Sequence, residues 1–139
     1  MTLRIAAALG LAAALAAAGC EKSNRIAVYK TSGKLVRSGA PVAGLAVIFH
    51  PTDPSAPTTP LRPNGVVNAD GTFALTCYNQ HDGAPPGEYV VTVSEAPRND
   101  SDPRPVLPAT KYRDVKTSPL RARIEAKSAN ELTPFDITN

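Results

Sequence analysis

Hydrophobic and polar residues divide the chain into an apolar N-terminal segment and a long remainder of short alternating runs. Between 27 and 139 no apolar period of 3.6 residues is sustained, whereas apolar and polar positions alternate in runs separated by Gly, Pro, Asn and Asp. Alternation with a period of two is typical of half-buried β-strands, and turn residues between short runs are typical of antiparallel sheets. The pattern predicts an all-β fold, an antiparallel β-sandwich of about seven strands.

The alternating runs also predict which residues face the core. The first strand covers about 28–37, with Tyr29, Thr31 and Leu35 on one face, and Pro51 ends the second strand. Asp70-Gly71 predicts a hairpin over 66–73, because Asp-Gly readily supplies the positive φ of a tight turn. A turn is expected at 128–130. The other inward-facing positions are Leu45, Val47 and Phe49; Phe73, Leu75 and Cys77; Tyr89, Val91 and Val93; Leu120, Ala122 and Ile124; and Leu132, Phe135 and Ile137.

Two proline-rich segments interrupt this pattern. Residues 51–65 contain five prolines, and residues 96–110 are rich in proline and charge. Proline has no N–H to donate to a β-ladder and favours extended backbone. Both segments are therefore predicted to be extended surface loops.

The N-terminal segment has the pattern of an export signal. A basic start, Met1 to Arg4, is followed by Ile5 to Ala18, which is almost unbroken Ala and Leu. An apolar region of about 7–15 residues after a basic start is typical of a secretory signal and is too short to span a bilayer. We expect residues 1–19 to be a signal peptide that forms a signal helix, followed by the polar run that starts at Glu21.

The junction Ala18-Gly19-Cys20 resembles the lipobox of bacterial lipoproteins, although Ala17 stands where the family prefers Leu. In that family the Cys thiolate takes a diacylglyceryl group, with fatty acyl chains such as palmitate. The resemblance implies lipidation at Cys20, a short polar tether over 20–27 and a domain over 28–139. It places the protein in the cell envelope, anchored to the outer membrane or at the periplasmic face. The alternative is a soluble secreted protein with a free Cys.

The composition after the signal limits the partners and the cysteine chemistry. The fifteen basic residues less Arg4 leave fourteen, against twelve acidic residues, and the two signs are mixed along the chain. Nucleic-acid binding is not expected, because there is no basic block. If lipid occupies Cys20, Cys77 has no disulfide partner, and we expect it to be a small buried hydrophobe.

Four segments in order resemble the carboxypeptidase regulatory-like, or transthyretin-like, domains of bacterial envelope lipoproteins. They read SGKLVRSGAPVAGLAVIFHP, NGVVNADGTFALT, GAPPGEYVVTV and LPATKYRDVKTSPLRARI, within a resemblance that covers residues 28–138. The resemblance implies a transthyretin-like or immunoglobulin-like Greek-key sandwich. In multidomain carboxypeptidases this module accompanies a separate catalytic domain, so it implies a fold and no activity.

The expected function is therefore a non-catalytic envelope lipoprotein, without metal or cofactor, whose sandwich is a structural or protein-interaction module. Its partners would be the membrane, through Cys20, and envelope proteins or glycans. An exposed sheet edge or the proline-rich loops would receive them. A carbohydrate-binding or small-molecule-binding module is the alternative.

Three chemical alternatives rest on particular residues. His50 and His81 with the four tyrosines suggest iron ligation, but they lack the close His-x-His pair of ring-cleaving dioxygenases. The run at 111–114, Lys-Tyr-Arg-Asp, suggests a transthyretin-like hydrolase, but that family carries its Tyr-Arg-Gly-Ser signature at the C-terminus. The third alternative is a calcium site around Asn68, Asp70 and Asp82.

The calcium alternative competes with a simple turn. Asn68 and Asp70 begin the alternating oxygen pattern of a calcium-binding loop, with Asp82 as a further carboxylate. Such a loop needs oxygen ligands at alternating positions and a bidentate Glu at its twelfth position. Apolar residues from Phe73 onward occupy the space that the loop would need, so the hairpin interpretation is preferred.

Overall fold

A computed structural model describes residues 24–53 and 61–139, and strands dominate them. The strands are β1 (Lys30–Arg37), β2 (Ala40–Pro41), β3 (Leu45–Pro51), β4 (Asn64–Val66), β5 (Thr72–Ala74), β6 (Gly87–Glu95), β7 (Arg121–Ile124), β8 (Ala129–Glu131) and β9 (Phe135–Ile137), with a 3-10 helix at Thr110–Arg113. The all-β prediction is confirmed, with nine short strands in the described ranges. Within those ranges, no helix has the length and apolar character required to cross a membrane. The predicted signal peptide, Cys20 and loop residues 54–60 lie outside the described residues.

The strands form two sheets. The first is the antiparallel sheet β4-β3-β6-β7. The second is built around β1, with β2 and β5 antiparallel to it and β8 and β9 parallel to it. The prediction of purely antiparallel pairing is therefore wrong for β8 and β9.

The path of the chain explains the parallel pairing. Ile124, the last residue of β7, lies opposite Gly87 at the start of β6. Nearby, Ala84 pairs with Tyr29, just before β1 begins. The chain thus leaves β7 at the end of the sandwich where β1 starts, and when it crosses to the second sheet it runs in the same direction as β1.

Four aromatic rings join the sheets. Phe49 and Tyr89 come from the first sheet, and Phe73 and Phe135 come from the second. Phe49 lies 5.8 Å from Tyr89 and 6.3 Å from both Phe73 and Phe135, measured between ring centroids. All four side chains are buried. Burying a ring of this size stabilises a fold by roughly 2–3 kcal/mol, so the aromatic cluster is a major contribution to the core.

Part of the second face of the first sheet is also buried. Val90 and Thr92, which alternate with the inward-facing Tyr89, Val91 and Val93, are 7% and 4% exposed. The alternation in β6 therefore shows which residues face the aromatic core, but Val90 and Thr92, which point the other way, are not exposed.

The predicted hairpin over 66–73 is only partly right. Its turn exists, with Gly71 at φ 84° and a hydrogen bond from the Gly71 N–H to the Asn68 carbonyl. Its two strands, however, belong to different sheets, because β4 pairs with β3 and β5 pairs with β1. The turn therefore carries the chain from one sheet to the other.

Two predicted boundaries also need correction. The loop expected at 51–65 ends early, because Pro63 is fully buried and β4 begins at Asn64. Pro63 takes part in the pairing with β3 through its carbonyl, which accepts the Phe49 N–H at 2.8 Å. This pairing does not require the N–H that proline lacks. The turn expected at 128–130 is wrong, because Ala129–Glu131 forms β8 and pairs with β1.

Candidate functional site

In the ranges that the structure describes, the two sheets meet along two sides, of which one is closed and one is open. On the closed side, the Asn64 N–H donates to the Thr76 carbonyl at 3.0 Å and the Thr76 N–H donates back to Asn64 at 2.8 Å. On the other side, the edge of β7 faces the edge formed by β8 and β9. Between them lies an open cleft of about 570 Å³, lined by residues 119–123 and 131–136. We refer to it as the edge cleft.

One wall of the edge cleft is the unpaired edge of β7. The Val91 N–H donates to the Leu120 carbonyl at 3.0 Å, which shows that Leu120 directs its main chain toward β6. Successive residues of a strand direct their main-chain groups to opposite edges. Arg121 and Arg123 therefore direct their N–H and C=O groups away from β6, and in the part of the chain that the structure describes these groups have no partner strand.

The opposite wall is the free edge of β8 and β9. The Leu132 N–H donates to Ser32, and Ile137 accepts the Ser38 N–H, so these residues direct their main chains toward β1. By the same alternation, Glu131 and Asp136 direct theirs to the free edge. The cleft thus lies between two rows of main-chain donors and acceptors.

Side chains give the two walls opposite charge. Arg121 and Arg123 are exposed on β7, and Glu131 and Asp136 are exposed across the cleft. Leu132 and Ala122 are half-buried between the walls. The cleft therefore has a basic rim, an acidic rim and an apolar floor.

Both arginines remain accessible to a ligand. The Arg123 guanidinium lies 3.8 Å from the Glu88 carboxylate, but both side chains are about 70% exposed, and such surface pairs contribute little. The Arg121 guanidinium donates to the carbonyls of Ser118 and Leu120 and so holds a fixed position beside the strand.

Asn130 closes one end of the edge cleft. Its side-chain oxygen accepts the Glu125 N–H at 3.0 Å, and its side-chain amide donates to the Glu125 carbonyl at 2.9 Å. Glu125, like Arg123, directs its main-chain N–H and C=O groups away from β6. The Asn130 amide therefore pairs with these groups as a neighbouring strand would. Sequence reasoning assigned Asn130 to a turn and missed this role, since Asn is among the residues that dominate turns.

The two histidines lie on different elements and have different partners. His50 is half-buried on β3, and its Nε2 lies 2.9 Å from the Thr92 hydroxyl. Burial and, secondarily, the charge of Arg62 lower the pKa of His50. His81 is exposed in a turn at φ 57°, where its main-chain N–H donates to the Thr76 hydroxyl. The structure gives no contact that joins them.

The carboxylates weighed for calcium are occupied by local hydrogen bonds. Asp70 accepts the N–H and the hydroxyl of Thr72, and these bonds lower its pKa. Asp82 accepts the N–H groups of Cys77, Tyr78 and Asn79 at 2.8, 3.1 and 2.8 Å. Across residues 24–53 and 61–139, no group of three or more His, Cys, Asp or Glu side chains could hold a metal ion.

Tyr112 and Cys77 are the remaining candidates from the sequence. Tyr112 is buried on the 3-10 helix, and its hydroxyl lies 3.2 Å from both the hydroxyl and the N–H of Thr138, so it holds the C-terminal strand in place. Cys77 is a free, half-buried thiol whose pKa is raised by burial and by the charge of Asp82. Its position is less buried than the sequence predicted.

Comparisons with protein-family models, curated proteins and solved structures found no match to this chain.

Proposed function

We propose that this chain is an exported lipoprotein, anchored through Cys20, whose β-sandwich is a non-catalytic interaction module of the cell envelope. The N-terminal pattern supports export and anchoring. The edge cleft supports interaction with another polypeptide, and the unpaired main chain of Arg121 and Arg123 is the observation that carries the proposal. Unpaired strand edges are common docking sites for extended chains.

The described end of the tether is consistent with an anchor close to the domain. The Arg25 guanidinium lies 5.0 Å from the centre of the Tyr78 ring, and the Ile26 N–H donates to the Tyr78 hydroxyl at 3.2 Å. From Asn24 back to Cys20 the chain has four residues, which span at most about 14 Å when extended. A lipid on Cys20 would therefore hold the Tyr78 end of the sandwich near the bilayer.

The groups that suggested catalysis or metal binding support a structural role instead. His50 contacts Thr92, Tyr112 contacts Thr138, and Asp82 accepts main-chain N–H groups. A catalytic site requires ionisable groups that converge on one position where a substrate can bind. These three groups each serve a separate local contact, which favours a binding module.

The anchor is tested by cell fractionation and mass spectrometry. Native protein and Cys20→Ala are expressed at equal levels, and membranes are separated from soluble fractions. Mass spectrometry should find acyl chains on Cys20, and Cys20→Ala should move to the soluble fraction. Persistent membrane association of Cys20→Ala would contradict the anchor.

The interaction role is tested by pull-down from envelope extracts. Thr133→Trp places a large ring at the exposed wall of the edge cleft, and Lys116→Glu changes an exposed residue that does not line the cleft, as a control. Proteins that bind through the sandwich should be retained by native protein, Cys20→Ala and Lys116→Glu, and lost with Thr133→Trp. Equal retention by Thr133→Trp would exclude the cleft as the interaction site.

A second pocket favours the small-molecule alternative. It has a volume of about 360 Å³ on the closed side of the sandwich. Amide side chains and a histidine contribute to its lining: Asn64, Asn68, Gln80 and His81. Such groups suit the hydroxyls of a sugar. Calorimetric titration with envelope oligosaccharides, beside Gln80→Ala, tests this function, and heat that is unchanged by Gln80→Ala would exclude the pocket.

A further inference from the structure

We propose that the edge cleft binds an extended acidic–apolar–acidic segment of a partner protein, which adds a strand to β7. This inference rests on the proposed interaction function and specifies its binding mode and the chemistry of its ligand. It depends on three observations: the unpaired main chain of β7, the spacing of its two arginines and the apolar floor of the cleft.

The main chain of β7 offers a complete set of strand-pairing groups. Arg121 and Arg123 together present two N–H donors and two C=O acceptors along one edge. An extended peptide supplies the complementary groups at the same spacing, which gives affinity that does not depend on side chains. The edge of β7 therefore selects an extended segment over a helix.

The contact between Asn130 and Glu125 shows that this edge accepts strand-like pairing within the protein. The Asn130 amide satisfies both main-chain groups of Glu125, two residues beyond Arg123. The same contact ends the free edge, because an added strand cannot continue past the amide. The contact therefore sets one end of the bound segment. The two ligand residues opposite Arg121 and Arg123 would lie about 7 Å apart.

The side chains of β7 specify acidic residues at alternate positions. Arg121 and Arg123 are exposed and point to the same side of the strand, because they are two residues apart. An added strand places its own residues i and i+2 beside them. Carboxylates there form charge-assisted hydrogen bonds with the two guanidinium groups, which favours Asp or Glu at both positions.

The residue between the two acidic positions points the other way, toward the floor of the cleft. Half-buried Leu132 and Ala122 lie on that side, so an apolar side chain is favoured. The carboxylates of Glu131 and Asp136 line the opposite wall and would repel a segment that is acidic throughout. The cleft therefore favours a segment in which acidic and apolar residues alternate over a segment that is acidic throughout.

Exposed arginines on an edge strand also have a protective role, since they oppose edge-to-edge aggregation. That role makes no distinction between ligands and requires no main-chain pairing. Strand addition requires main-chain pairing and distinguishes between ligands, so synthetic peptides can separate the two explanations.

The probe is a capped peptide of alternating Glu and Val, flanked by Ser, titrated into the full-length chain in lipid nanodiscs. Its controls are a Lys–Val peptide of the same pattern, a peptide of Glu alone, and the Glu–Val peptide with N-methyl groups on alternate residues. Fluorescence anisotropy measures affinity, and amide hydrogen exchange followed by NMR measures protection of individual N–H groups.

We expect the Glu–Val peptide to bind at least tenfold more tightly than each control. In the free protein the N–H groups of Arg121 and Arg123 should exchange much faster than that of Ala122, which faces β6. The bound peptide should slow exchange at both arginines and leave Ala122 unchanged. Arg121→Glu combined with Arg123→Glu should reverse the preference toward the Lys–Val peptide, whereas Lys116→Glu should have no effect.

Equal binding of the N-methylated peptide would overturn strand addition, as would absence of protection at Arg121 and Arg123. Failure of the Glu–Val peptide to bind would overturn the ligand chemistry. Neither result affects the proposed function if envelope partners are still lost with Thr133→Trp. If Thr133→Trp retains those partners, the proposed interaction site itself is wrong.

Discussion

The side-chain amide of Asn130 pairs with the main chain of Glu125, as an adjacent strand would. Two hydrogen bonds, at 3.0 and 2.9 Å, join the second sheet to the end of the first. Asn130 is 5% exposed, so the contact is sheltered from water. It is the counterpart, on the open side of the sandwich, of the main-chain pairing between Asn64 and Thr76 on the closed side.

Asn130→Ala should destabilise the fold by about 2 kcal/mol, because it removes two partly buried hydrogen bonds and leaves the Glu125 N–H without a partner. Urea denaturation measures the change. Asn130→Asp keeps an acceptor for the Glu125 N–H but sets a carboxylate oxygen against the Glu125 carbonyl, so at neutral pH it should not restore stability. Asn139→Ala, at the exposed C-terminus, is the control and should change stability by less than about 0.5 kcal/mol. A loss that small for Asn130→Ala would contradict the role assigned to the pair.

Alternation along the chain predicted the core well. Leu35, Val47, Phe73 and Val91 are all buried where the period of two placed them inward. The Asp70-Gly71 turn also formed as its residue types predict. These successes share a physical cause, since each depends on neighbours in the sequence and on the preference of apolar side chains for the interior.

Pairing between distant segments was much harder to predict. The sequence around Asn130 reads as a turn, yet it forms β8, because β1 offers a free edge beside it. Likewise, the edge cleft depends on which strands end up without a neighbour, and no local pattern carries that information. Cys20, the one residue given a chemical role from sequence, lies outside the described residues and its lipidation stays a prediction.

Gly83→Ala should destabilise the fold severely. A Cβ at this position would lie 1.8 Å from the Tyr29 carbonyl oxygen, and the main chain has φ 102°. The close approach is part of the pairing that joins Tyr29 to Ala84, so the main chain cannot move away without breaking it. We expect a loss of more than about 4 kcal/mol, measured by urea denaturation or as failure to fold.

Gly39→Ala is the matched control for this prediction. Gly39 also has a positive φ, 80°, but no atom lies within 4 Å of the position that a Cβ would take. Only main-chain strain remains, which costs about 1 kcal/mol. Similar losses for the two variants would show that the Tyr29 contact does not limit position 83.

Asp82 should make stability depend on acid pH. Burial acts to raise the pKa of Asp82, but the N–H groups of Cys77, Asn79 and Tyr78 together outweigh it, and the pKa lies below its usual 3.8. A carboxyl whose pKa is lowered by folding contributes stability that is fully present above the unfolded pKa and is lost as pH falls through the folded pKa. The contribution should therefore be complete above about pH 5 and should be lost progressively as the pH falls below the usual pKa of 3.8.

Asp82→Asn tests this dependence through denaturant titrations from pH 7 to pH 2. The variant should be less stable than the native chain at pH 7, and the difference should shrink as the pH falls below 4. Asp100→Asn, at an exposed residue in the 96–110 loop, should keep the full acid-induced loss. A difference between native chain and Asp82→Asn that stays constant across this range would mean that the charge of Asp82 contributes nothing.

Tyr78 should protect the tether from proteolysis. Its ring lies under the Arg25 guanidinium and its hydroxyl accepts the Ile26 N–H, so the bond that trypsin cleaves after Arg25 is held against the sandwich. An exposed cation–π contact contributes about 0.5–1 kcal/mol, which corresponds to a two- to fivefold change in the fraction of released tether. Tyr78→Ala should accelerate cleavage after Arg25 by about that factor.

Tyr78→Phe keeps the ring and should show a smaller increase. Cleavage after Lys127, an exposed residue between β7 and β8, serves as the internal reference in the same digest, and mass spectrometry follows both sites. An equal rise at both sites would indicate general destabilisation, and no rise at Arg25 would show that the tether is not held by Tyr78.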